Sequence, residues 1–295
     1  MTEAIAWRGV SKSFGSLRAL DRLDLSVGRG EVFGFLGPNG AGKTTAIRIA
    51  AGLARPGAGE VFLGGLRASR PESRLRAGYL PEDLRFPRGF RLGEWVRLGL
   101  RLRGGDPSRI GPAAERAGLS ARMEDDLAGF SKGMRRRAAL LLLLAHDPDI
   151  WLLDEPTADL DVSGREMLEN AVLEAKGRGA TFFLSSHILS EVERVCDRVG
   201  VIEKGRLARV GRPSEFLPAP FLVDLLLAAL PEDPALLAAG RPFVANPEAR
   251  RIRIFVSGRE EGNEAIRRVE EAGFPPREAL LRPASLRDAL GGVRS

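Results

Sequence analysis

Glutamine is absent from this 295-residue chain, cysteine and tyrosine occur once each, and histidine occurs twice. With Cys196 as its one cysteine, the chain cannot form an internal disulfide, so the fold rests on its core alone. Long apolar runs are missing too. The longest, Ala138 to Ala145, makes about two helical turns, far short of the roughly 20 residues that span a bilayer. The opening Met-Thr-Glu-Ala-Ile-Ala-Trp-Arg lacks the charged-then-apolar pattern of a secretory signal. Together these absences predict an intracellular chain. Lysine is scarce, so the net charge of +6 comes mostly from arginine. A basic balance suits nucleic acid or an anionic membrane face, and it also follows from GC-rich coding. No basic run with interleaved aromatics stands out, which favours the compositional explanation. The densest cluster, Arg135-Arg136-Arg137, reads as a solvated or interface helix face.

What is present is ordinary in bulk and specific in detail. A hydrophobic content of 44% and a charged content of 28% fit a folded chain with one good core and a smaller second one. Residues 37 to 45 read Gly-Pro-Asn-Gly-Ala-Gly-Lys-Thr-Thr, between the apolar Val32 to Leu36 and the helix-like Ala46 to Ala50. Strand, glycine loop and helix in that order make a phosphate site. Gly37, Gly40 and Gly42 let the backbone curl so that the amides of this loop, from Asn39 and Ala41 to Thr45, converge on a polyphosphate. Lys43 reaches the β- and γ-phosphates, and the Thr44 hydroxyl ligates Mg²⁺.

A second apolar run, Ile150 to Leu153, ends in Asp154-Glu155, as a buried parallel strand does at the edge where α/β sheets bind ligands. Asp154 is placed to hold the metal through water, and Glu155 to polarise an attacking water. A third run, Ala180 to Ser185, leads to Ser186-His187.

At this point the residues resemble a family: the nucleotide-binding subunits of ABC transporters, over residues 3 to 211. The phosphate loop and the acidic strand correspond to its Walker A and Walker B motifs. Phe130-Ser131-Lys132-Gly133-Met134 resembles the ABC signature, Ala158 to Asp161 the D-loop, and His187 the switch histidine. Phe14 matches the aromatic that stacks on adenine. Glu82 stands in Gly78-Tyr79-Leu80-Pro81-Glu82 where the family's Q-loop has Gln, and the resemblance makes it a candidate metal ligand at a hinge. Lys132 and Met134 also depart from the usual signature. The Ser-Lys-Gly-Met and Tyr-Leu-Pro-Glu versions are similar to those of a branch serving exporters of drugs, polysaccharides, ions or lipids, in which the ATPase and the membrane protein are separate chains.

The resemblance implies an α/β fold, a P-loop NTPase ABC cassette with a RecA-like core, an antiparallel β subdomain and a helical subdomain over 84–147. It implies ATP and Mg²⁺ as ligands and an integral membrane permease as partner, with the chain peripheral on the inner face of the cell membrane. It also implies a homodimer in which Ser131 and Gly133 of one copy close over ATP held by the other. Catalysis then falls to Lys43, Glu155 and His187. Beyond Gly205 the composition turns to Pro-punctuated segments, followed by a strand-like Arg251 to Val256 and a helix-like Glu260 to Ala272. Residues 212–295 therefore read as a small α/β accessory domain, regulatory, dimer-supporting or a packing appendage. Two rival functions remain open at this stage. One is a soluble ABC-type ATPase acting on nucleic acid or ribosomes, the other a nucleotide-gated subunit with negligible turnover.

Overall fold

The computed structural model describes residues 3–186 and 189–290, which form two compact units. One holds residues 3–186 and 195–210, the other 189–194 and 211–290. The strands of the first are β1 (Glu3–Phe14), β2 (Leu17–Gly28), β3 (Val32–Leu36), β4 (Ala58–Leu63), β5 (Leu66–Arg67), β6 (Ala77–Leu80), β7 (Ile150–Leu153), β8 (Thr181–Ser186), β9 (Arg198–Glu203) and β10 (Arg206–Gly211). Its main helices are α1 (Lys43–Ala50), α2 (Pro71–Leu75), α3 (Leu92–Arg101), α4 (Ile110–Arg116), α5 (Lys132–His146) and α6 (Val162–Gly177).

Two sheets share this unit. An antiparallel sheet runs β2-β1-β4-β5, and a six-stranded sheet runs β10-β9-β3-β8-β7-β6. In the second, β9, β3, β8, β7 and β6 are mutually parallel. The sequences explain the difference. Along β2, Leu23, Leu25 and Val27 are buried while Arg22, Asp24 and Ser26 face out, the alternation of a half-solvated strand. Strands β3, β7 and β8 are buried at every position, as parallel strands covered on both faces must be.

Phe183 on β8 joins the two layers: its ring lies 4.6 Å from Trp7 of β1, 5.8 Å from Phe33 and 5.1 Å from Phe35 of β3. The Trp7 indole then donates to the Ala46 carbonyl of α1 at 3.2 Å, which leaves that buried N–H satisfied. Between β6 and β7 the chain makes the helical excursion α3 to α5. Helix α5 is apolar on all sides from Ala138 to Ala145 and buried throughout that stretch, packed among α3, α4, α6 and β6.

In the second unit, α7 (Leu189–Val195) contributes residues 189–194, and the rest follows β10: β11 (Phe221–Leu226), α8 (Ala235–Ala238), β12 (Phe243–Asn246), β13 (Arg251–Val256), α9 (Arg259–Glu271), β14 (Glu278–Pro283) and α10 (Leu286–Leu290). Its sheet has the order β12-β13-β11-β14, with β11 antiparallel to both neighbours, so α9 crosses over β11 to connect two parallel strands. Val223, Leu225, Ile252, Ile254, Ala265 and Val269 form its core.

Replacing Phe183 by Ala removes the ring that three aromatics share. A loss of about 3–5 kcal/mol in unfolding free energy is expected, measured by urea denaturation.

Candidate functional site

The glycine loop lies between the C-terminal end of β3 and the first turn of α1. Pro38, Asn39 and Gly40 form its exposed crest, whereas Ala41, Gly42 and Lys43 are buried. Gly42 has φ 113°, and a Cβ there would lie 2.4 Å from the Ala19 carbonyl, so only glycine fits. The Lys43 ammonium donates to the Gly37 carbonyl at 2.7 Å and the Pro38 carbonyl at 3.3 Å, and lies 3.8 Å from a Glu155 carboxylate oxygen. A helix N-terminus beside a buried cation makes this an anion site.

The sheet order explains what faces it. Strand β8 separates β3 from β7, and all three end at the same edge. From the β3 side, the Thr44 hydroxyl reaches Asp154 Oδ1 at 3.2 Å, at the end of β7. Ser185, on the intervening strand, donates to the same oxygen at 2.8 Å and accepts the Glu155 N–H at 2.9 Å. Asp154 is fully buried, and its Oδ2 has no hydrogen-bond partner among the described residues. Burial holds the Asp154 carboxyl above its usual range, and neighbouring Glu155 adds to the effect against the Ser185 and Thr44 hydrogen bonds. Glu155 is itself buried and sits in the left-handed region at φ 46°, a strained conformation for a residue with a side chain.

Mg²⁺ suits this donor set. It binds through one or two carboxylates with hydroxyl, water and phosphate oxygens completing six positions, and an orphaned carboxylate oxygen beside a threonine hydroxyl supplies the protein's share. Glu82, also expected near the metal, has an exposed side chain just beyond β6, and its backbone carbonyl accepts from Arg136 at 2.7 Å.

Ser131 is exposed and caps α5, its hydroxyl oxygen accepting from the Met134 N–H at 3.3 Å while its own proton stays available to donate. Gly133 follows in the first turn. A Cβ there would come within 2.9 Å of the Asp159 carbonyl, so the signature segment and the D-loop segment touch within one chain. Phe14 ends β1 with its ring 55% exposed and the Lys12 ammonium 5.1 Å from its centroid. The switch-histidine expectation falls on His187, which lies outside the described residues.

Within the arginine cluster, read as a solvated or interface helix face, Arg136 is corrected to a buried residue. Arg136 is only 1% exposed and donates to the Pro81 carbonyl at 2.6 Å as well as to Glu82. Arg137 pairs with Asp161 at 2.6 Å and donates to the Ser163 hydroxyl at 2.7 Å. Ser185 was missed as a site residue as well. The signal was there: Ser185-Ser186 closes a strand whose position in the parallel sheet calls for apolar residues.

Because the folded-state pKa of Asp154 lies above its unfolded value, its contribution to stability is full below the unfolded value and lost as pH rises through the folded one. Charged Asp154 thus costs stability at neutral pH. Asp154→Asn is expected to raise the thermal midpoint without nucleotide or metal, with a gain that grows from acid to neutral pH. Thermal denaturation across that range checks it, and a gain independent of pH would refute the burial account.

Comparisons with known proteins place this geometry. The sequence pattern of the family described as "ABC transporter" matches residues 20–158. The Nod factor export ATP-binding protein I of Cupriavidus metallidurans is 32% identical over 296 residues, covering 98% of this chain and 97% of that protein. The protein of the same description from Rhizobium meliloti is 37% identical over 222 residues, covering 72% and 65%. Among solved structures, one described as the ATP binding subunit of an ABC transporter aligns with a TM-score of 0.68 at 29% identity, covering 73% of this chain and 92% of that one.

Proposed function

The chain belongs to the ABC transporter family as an ATP-binding subunit, an ATPase coupled to transport, and from that premise we propose that it drives export through a separate membrane permease. No helix among the described residues is long and apolar enough to cross a membrane, which supports a separate permease and a place on the inner face of the cell membrane. The relatives reported above are named for export and lend no support to the nucleic-acid reading.

The observation that carries the site assignment is Asp154, a buried acid met by two hydroxyls at one oxygen, with no hydrogen-bond partner for the other among the described residues. Thr44 and Asp154 hold Mg²⁺, with Glu82 as a further ligand. Bound Mg²⁺ neutralises charge on the β- and γ-phosphate oxygens. The backbone amides of the loop cradle the polyphosphate, and Lys43 exchanges the Gly37 and Pro38 carbonyls for phosphate oxygens. That exchange frees its near neighbour Glu155 to take a proton from the attacking water. His187 contacts the γ-phosphate and that water, and Phe14 stacks on adenine.

ABC ATP-binding subunits form dimers and work with permeases. We assign Ser131 and Gly133 to the nucleotide bound by the second copy of a homodimer, since Lys43 and the loop amides already serve the phosphates of their own chain. Residues 1–211 form the ATPase cassette in this reading and 212–295 an accessory domain that supports or regulates the pair.

Lys43→Ala is expected to abolish Mg-ATP binding in isothermal titration. Glu155→Gln keeps that binding but slows hydrolysis by about 10² to 10⁴, and it accumulates as a dimer in excess ATP on size-exclusion chromatography. Wild-type turnover in both variants would sink the assignment.

A further inference from the structure

Three consecutive carbonyls at the end of β6 are tied to two different parts of the site. Leu80 accepts from the Asp154 N–H at 2.8 Å, and Pro81 and Glu82 accept from the two terminal nitrogens of Arg136 at 2.6 and 2.7 Å. We propose that Arg136 is a positioning residue that fixes the Ser131 end of α5 against the strand edge carrying Asp154. The inference rests on the role assigned above to Ser131.

The chemistry of the contact supports it. Two neighbouring carbonyls received by one planar fork need a guanidinium; a lysine ammonium carries the charge but not the paired geometry. Ser131 lies five residues before Arg136, about 7.5 Å along the helix axis, so a shift at the fork moves the Ser131 hydroxyl directly. Helix α5 does not need the charge for anchoring, because Ala138 to Ala145 already bury its C-terminal half. Keeping a cation here is costly, because Arg136 is only 1% exposed and its charge has given up its hydration. Its Nε is buried without a partner among the described residues, so the fork alone defines its contacts. The next residue, Arg137, holds Asp161 and Ser163, and Gly133 touches Asp159, so the same two turns of α5 meet the segment after β7 as well as the carbonyls after β6.

The test compares Arg136→Lys, Arg136→Gln and Arg136→Met with the wild type for Mg-ATP affinity, turnover and thermal midpoint. Each pairing is then repeated in the Glu155→Gln background for the ATP-dependent dimer. Expected are nucleotide affinities within about threefold of wild type, turnover at least tenfold lower, and a correspondingly smaller dimer fraction, with Lys the mildest. Wild-type turnover and dimerisation in Lys and Gln would overturn the proposal. So would affinity and turnover falling together with the thermal midpoint, or failure of all three variants to fold, since Arg136 would then be a structural brace only. A wild type that neither binds nor hydrolyses Mg-ATP would instead remove the functional reading on which the inference rests.

Discussion

Everything at the nucleotide edge depends on one buried carboxylate. Asp154 directly follows β7 and is fully buried, and an ionised carboxylate outside any ion pair is among the costliest groups a fold can bury. The topology makes the burial tolerable. Because β8 is inserted between β3 and β7, one hydroxyl arrives from the intervening strand and another from the helix after β3, both directed at the same oxygen. The loop, the acidic strand and the serine strand are thereby held in register by a single acceptor. The second oxygen remains without a partner among the described residues. A site built this way is preorganised for positive charge, which supports the proposal of a metal bound there with the polyphosphate.

A second constraint comes from α5. Its C-terminal half is ordinary packing, but its first two turns carry polar contacts to segments on either side: Arg136 to the carbonyls after β6, Arg137 and Gly133 to the loop after β7. Glu155 and Asp159 in that loop both have positive φ, at 46° and 61°, conformations that persist only where the surroundings over-determine them. The strain is local to the segment between the acidic strand and α6, where Asp161 caps the helix by accepting from the Gly164 N–H. Strained loop and polar helix start therefore support each other, and a change at one is felt at the other.

How much of this was legible follows from the range of the interactions. The phosphate loop could be read in full because its demands are local: glycine where φ is positive or a carbonyl lies close, and lysine and threonine at fixed steps from it. The strands β3, β7 and β8 were legible because burial on both faces leaves a continuous apolar run. Ser185 and Arg136 were not, because their roles depend on residues 31 and about 55 positions away, and a polar residue in sequence looks solvated until its partner is known. The second unit shows the same limit. Strand β13 alternates visibly, but β11 carries Asp224 in an apolar run and β14 reads Glu-Ala-Leu-Leu-Arg-Pro, a composition closer to a helix. Pairing on both sides of β11 decided the outcome over propensity.

The chain's other buried acids make Asp154 stand apart by contrast. Asp21 lies between Arg206 and Arg18, Glu31 meets Arg198, Asp224 meets Arg251 and Arg253, and Asp288 takes both ends of Arg282. In Asp21 the Arg206 hydrogen bond depresses the carboxyl, and in Asp288 the Arg282 and Ser285 hydrogen bonds outweigh the upward push of burial. Those acids have their partners within the chain itself, so they hold elements together at any ligand concentration. With arginine this abundant, a cation opposite Asp154 would have been easy to supply. Two hydroxyls were supplied in its place, one of them on the residue that follows Lys43 in the loop. Asp21, Glu31, Asp224 and Asp288 meet arginine and Glu155 meets Lys43, whereas Asp154 meets two hydroxyls, a contrast that supports the proposal of a bound cation as its counter-charge.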